Sequence, residues 1–269
     1  MNEESPKTSL ERRPPSFSRL QLVLYPLLVI GLLFAASLIA GLAARRGLLS
    51  REWLSLALLV YALNFIFFAG GAYLLALRPG KLTWAELGIA PPRWRWLWLL
   101  LAAGVTLALL PLRGLIGYIV QQWFGGGLEG MQSRLDLLMG SQLSWSGFFV
   151  TLLGAGLLAP VAEELFFRGF FYTALRQRLG VAAAVTISSL VFAVGHIDAL
   201  GVVAASFIMG IALALAYEYT RSLWAAIAIH AFNNSLATVL VYLLMLAQAH
   251  LRGLGVDPTL WTSPLPFPP

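Results

Sequence analysis

The chain contains no cysteine, which excludes disulfide frameworks and thiolate metal sites and leaves the redox state of its compartment unmarked. Charge is equally scarce, at 11% of 269 residues against about a quarter in a typical soluble domain. No polar block of domain size interrupts the apolar residues between Leu20 and Leu251, so a sizeable soluble domain is excluded as well. Basic runs interleaved with aromatics are missing, and the net charge of +6 reads as loop charge at a membrane, not as a nucleic-acid surface. There is no internal repeat of transporter-like half-length.

What remains is apolar: 59% of the residues are hydrophobic, with a mean hydropathy of +0.80. This pattern implies an all-α, polytopic membrane helical bundle of seven to eight transmembrane helices. Seven stretches approach the length that crosses about 30 Å, at 20–44, 54–77, 96–120, 145–158 with a continuation, 181–199, 202–219 and 223–249. Pro160 is expected to kink or restart the fourth. The stretch 20–44 is too long for a signal-peptide core and ends at Arg45-Arg46 without a cleavage site.

Four regions follow: a disordered tail over 1–19, amino-terminal spans and loops over 20–144, a polar-motif core over 145–250, and a proline-rich tail over 251–269. The segment 125–144 is the longest polar connection. With the N-terminus in the cytoplasm, inner segments hold Lys7, Arg12, Arg13, Arg19, Arg78, Lys81, Arg93, Arg95, Arg176, Arg178 and Arg221. The opposite side holds Arg45, Arg46, Arg51, Arg134 and Arg252, so the positive-inside rule favours a cytoplasmic N-terminus. The implied location is a cell membrane crossed several times, read as a prokaryotic plasma membrane. Lipid is one partner, nucleic acid is not, and nothing in the pattern selects an oligomeric state.

Ionisable groups inside spans are expensive and call for a partner or a task. They cluster in AEELFFRGFFY, VFAVGHIDA and IHAFNN. Glu164 and Arg168 stand four apart with the acid first, the favourable order for a helical ion pair, whereas Glu163 points about 100° away and is left as the free carboxylate. An antiparallel hairpin about residues 179–180 sets His196 level with Glu163. Further turns near 200–201 and 220–221 carry that level to about residue 235, beside Asn234 and one turn from His230. A carboxylate and an imidazole in a desolvated pocket form an acid/base pair able to activate water, and a His–Asn pair offers N–H donors to an oxyanion. Hydrolysis of a peptide bond fits this set. Zinc held by Glu163, His196 and His230 is the nearest rival, although the H-E-x-x-H spacing is absent. A non-hydrolytic scaffold or immunity factor, or a proton-linked transporter, is the alternative from another class.

Taken in order, E-E-x-x-x-R, F-x-x-x-H and H-A-x-x-N resemble the motifs of the CAAX protease and bacteriocin-processing (Abi) family, which includes the eukaryotic Ras-converting CAAX endopeptidase. They stand here as Glu163-Glu164 with Arg168, Phe192 with His196, and His230-Ala231 with Asn234, within about residues 146–246. The resemblance implies an intramembrane glutamic-type endopeptidase with no cofactor and no essential metal, acting on a membrane-associated peptide or protein. By similarity, Glu163 and His196 activate the water, His230 and Asn234 form the oxyanion hole, and Glu164 with Arg168 forms a structural ion pair. The substrate is not carried over, because these motifs encode cleavage and not recognition.

Overall fold

The computed structural model describes residues 16–49, 52–89, 96–124, 144–197 and 199–254. The tail before residue 16, the connection 125–143, Asp198 and the carboxy-terminal 255–269 lie outside the described residues. Among the described residues, seven helices form the bundle: α1 Arg19–Arg45, α2 Leu54–Leu77, α3 Leu97–Phe124, α4 Trp145–Arg176, α5 Val181–Val194, α6 Leu200–Thr220 and α7 Leu223–Gly253. Six are long and apolar enough to cross a membrane. The expected fifth span is the exception. Helix α5 stops at Val194: Gly195 N and His196 N bond to Phe192 O and Ala193 O, three residues back, and close a turn that carries His196. At 1.5 Å per residue its 14 residues reach only about 21 Å.

Helix α4 lies at the centre, packed against α2 on one side and α7 on another, with α1 behind α2 and α3 packed on α6 and α7. Its aromatic run makes the core. Phe166, Phe167 and Phe170 are buried against Phe17, Phe68 and Phe192, with ring centroids 5.2–5.4 Å apart. Large apolar side chains such as Leu38, Leu100, Leu115 and Phe149 point outward, the arrangement expected where the surrounding medium is lipid.

Order begins earlier than the expected tail allows. Phe17 is buried, its carbonyl accepts from Arg178 Nε at 2.7 Å, and Ser16 N donates to Gln177 Oε1 at 2.9 Å. Ser18 then caps α1 through a reciprocal pair of hydrogen bonds with Gln21.

Pro160 does not break α4. The helix widens to π geometry over Gly154–Leu158, resumes as α over Ala159–Glu164 and widens again over Leu165–Tyr172. Proline supplies no N–H, and the carbonyls such an N–H would serve in a π or an α turn are those of Ala155 and Gly156. Both are met from α7: Asn234 Nδ2 donates to Ala155 O at 3.0 Å and Ser235 Oγ to Gly156 O at 3.5 Å. A helix break is thereby converted into an interhelical seam.

Helices α3 and α6 run antiparallel and touch through glycines. A Cβ on Gly201 would stand 2.4 Å from the Gly117 carbonyl oxygen and 2.8 Å from Gln121 Cβ. Backbone cannot yield as a side-chain tip can, so Gly201→Ala is expected to force the helices apart. The expected loss is about 1–3 kcal/mol, read as a lower thermal midpoint of the purified protein; an unchanged midpoint would contradict this contact.

Candidate active site

Four of the six singled-out side chains meet directly. Arg168 Nη1 donates to Glu164 Oε1 at 2.8 Å, and Arg168 Nη2 donates to the Gly210 carbonyl of α6 at 3.1 Å. Both partners of this ion pair are fully buried, and the guanidinium also lies 4.5 Å above the Phe192 ring. Gly210 also lets α5 pack closely on α6, since a Cβ there would meet Ser189 Cβ at 2.9 Å. The same Glu164 Oε1 lies 2.8 Å from His230 Nδ1. The opposite edge of that imidazole faces Glu163, with Nε2 3.8 Å from Oε2. His230 therefore bridges the two glutamates. Because Glu164 already accepts from Arg168, its carboxylate takes the Nδ1 hydrogen, and this sets the tautomer of a neutral ring.

Glu163 is not the unpartnered carboxylate that spacing alone suggests. Asn64 Nδ2, from α2, donates to its Oε1 at 3.0 Å. That contact leaves Oε2 facing His230.

His196 lies in the turn after α5, half-buried, with Nδ1 3.1 Å from the Phe192 carbonyl. A carbonyl only accepts, so Nδ1 carries the hydrogen and Nε2 keeps its lone pair in the neutral ring. Phe192 links the two histidines, with its centroid 5.0 Å from that of His196 and 5.6 Å from that of His230. The F-x-x-x-H spacing thus has a physical reason: one phenyl ring carries the guanidinium and both imidazoles.

Asn234 sits one turn beyond His230 on α7. One of its amide hydrogens goes to Ala155 O, and its Oδ1 accepts from Asn233 Nδ2 at 3.0 Å. Among the described residues no three His, Asp or Glu side chains are grouped to hold a metal ion.

Three polar groups had no role in the sequence reading: Asn64, Asn233 and Arg113, whose place inside a span the sequence already marks. Each is a polar group inside an apolar helix, and that is the signal that marks them. Arg113 of α3 donates from Nε to Ala205 O at 3.0 Å and from Nη1 to Asn233 Oδ1.

Comparison with known proteins agrees with the motifs. Residues 145–236 match a family model described as type II CAAX prenyl endopeptidase Rce1-like. The chain is 28% identical over 130 residues to the membrane-embedded CAAX protease MroQ of Staphylococcus aureus (strain USA300), covering 46% of this chain and 50% of that one. It is 27% identical over 140 residues to the putative membrane peptidase YdiL of Bacillus subtilis (strain 168), covering 51% and 54%. The chain spans about half the length of these curated relatives. No solved structure matches it. The matched stretch runs from the start of α4 to Leu236 on α7 and holds every motif residue named above, whereas Asn64 and Arg113 lie outside it.

Removing Arg168 would leave Glu164 buried beside Glu163 with only His230 for compensation. Arg168→Ala is expected to lower folded yield and stability by about 3–5 kcal/mol, the usual consequence of breaking a buried ion pair. Adding Glu164→Gln should recover part of the loss, as measured by monodisperse yield in detergent; an abundant, thermally normal Arg168→Ala protein would contradict a structural role for the pair.

Proposed function

We propose that the chain is an intramembrane endopeptidase that hydrolyses a peptide bond of a membrane-associated peptide or protein, using water activated by Glu163 and His196. The observation that carries this reading is the position of His230 between Glu163 and Glu164, in a buried cluster on the two helices that span the family match. Asn64 holds one oxygen of Glu163, leaving the other to accept a proton. His196 offers a lone pair at Nε2, so water placed between these groups loses its proton as it attacks the carbonyl carbon. The developing oxyanion takes the second Asn234 amide hydrogen. It also takes the Nε2 hydrogen of His230 when that ring is doubly protonated. The proton held by the acid/base pair passes to the leaving amine, and both products carry ordinary termini. Glu164 and Arg168 keep α4 in register and orient His230.

In this reading no metal takes part, because the carboxylate–imidazole pair itself polarises the water. The membrane is a prokaryotic plasma membrane, with the N-terminus in the cytoplasm, as the distribution of Lys and Arg supports. The motif residues supply cleavage and leave the substrate sequence open to other parts of the bundle.

Glu163→Gln keeps volume and removes the base. It is expected to abolish cleavage of a membrane-peptide library by the purified protein while leaving the thermal midpoint near that of the wild type. Near-normal turnover would sink the assignment. Exhaustive chelation is expected to leave turnover intact; loss with phenanthroline and recovery with zinc would instead make Glu163, His196 and His230 ligands. Asn234→Ala is expected to lower kcat by about 10²–10³ with a small change in KM. In a zinc mechanism the metal would polarise the carbonyl, and the same substitution would cost much less.

A further inference from the structure

Arg113 lies in the interior of α3, within a span, where an arginine is expensive to hold and requires a task. Its guanidinium reaches two elements: Nε donates to the Ala205 carbonyl of α6 at 3.0 Å, and Nη1 donates to Asn233 Oδ1 of α7. From there the bonds continue in one direction. Asn233 Nδ2 donates to Asn234 Oδ1 at 3.0 Å, and Asn234 Nδ2 donates to Ala155 O at 3.0 Å. A guanidinium is donor-only and a carbonyl is acceptor-only, so the two ends determine the orientation of both amides between them. An amide can ordinarily present oxygen or nitrogen to a neighbour at similar cost; here neither can flip without setting donor against donor at Arg113 or acceptor against acceptor at Ala155.

We propose that Arg113, acting through Asn233, is a positioning residue for Asn234: it keeps the Asn234 NH2 turned towards α4 and polarises it as a donor for the reaction oxyanion. The inference rests on the peptidase reading and adds two residues to it, one of them outside the stretch that matches the family. The charge on the guanidinium pulls electron density along the two amides in series, which strengthens the last N–H. Without the cation, only the Ala155 carbonyl holds the orientation of Asn234, and its N–H groups lose that polarisation as donors.

The test uses the purified full-length chain and a quenched-fluorescence membrane-peptide library. Arg113→Lys, Arg113→Gln, Arg113→Met and Asn233→Ala are each compared with wild type, alone and in an Asn234→Ala background. Arg113→Met and Asn233→Ala are expected to lower kcat by about 10- to 100-fold, the range usual for partners that orient a reacting group, with KM changed by less than about twofold. Arg113→Lys keeps a donor-only group and should recover much of the loss. Gln can donate or accept, loses the direction and should not. In the Asn234→Ala background none of these changes should lower kcat further, because the amide they orient is gone. Additive losses in that background, or equal activity of the Lys and Gln variants, would overturn the proposal. If the Arg113 variants fail to fold, Asn233→Ala decides alone, since it leaves Arg113 bonded to Ala205. Wild-type cleavage that Glu163→Gln abolishes but Asn233→Ala leaves untouched refutes the relay only. Absence of wild-type cleavage refutes the peptidase reading and the relay with it.

Discussion

A fully buried arginine on a membrane helix is the constraint around which the bundle is organised. In a medium without water, the Arg168 guanidinium has to find its charge partner, its acceptors and its packing within the protein. Glu164 supplies the charge, the Gly210 carbonyl an acceptor and Phe192 a ring face. These partners come from α4, α6 and α5, so satisfying one cation fixes three helices relative to one another. The pair then serves a second purpose: Glu164, held by Arg168, is the acceptor that orients His230 and presents the other edge of its imidazole to Glu163.

Helix α4 owes its shape to a second constraint. An ordinary α-helix through Pro160 would leave backbone carbonyls unmet inside a membrane span. The π turn before the proline and the side chains of Asn234 and Ser235 resolve this together. The residue proposed to stabilise the oxyanion is thus also one that repairs the backbone of the helix bearing Glu163. Stability and chemistry share a side chain here, and for this reason kcat, not yield alone, is the informative measurement.

Much of this was legible in the sequence where the relation is periodic. Hydropathy marks the long helices, and a spacing of four places Glu164 beside Arg168 on one face. Depth arithmetic brings α4 and α7 together but misses the level by about a turn: His230 faces Glu163, whereas Asn234 meets Ala155, eight residues earlier on α4. It cannot say which edge of His230 faces which carboxylate, since that depends on helix rotation, and π turns alter rotation within α4. The length of α5 was overestimated: the expected span ran to Ala199, whereas the backbone tightens to a three-residue turn at Gly195 and His196. The roles of Asn64, Arg113 and Asn233 were missed for a different reason: each meets its partner across 92 to 120 residues of sequence, and no local pattern encodes such a contact.

The short α5 also bears on the lipid. Flanked by helices of 21 residues or more, it falls about 9 Å short of a hydrocarbon core of roughly 30 Å. The shortfall is a hydrophobic mismatch confined to one flank of the bundle, beside the turn that carries His196. Lipid meeting a short helix thins locally, at a fraction of a kcal/mol per Å. Thinning on that flank would bring the headgroup region closer to the turn that carries His196.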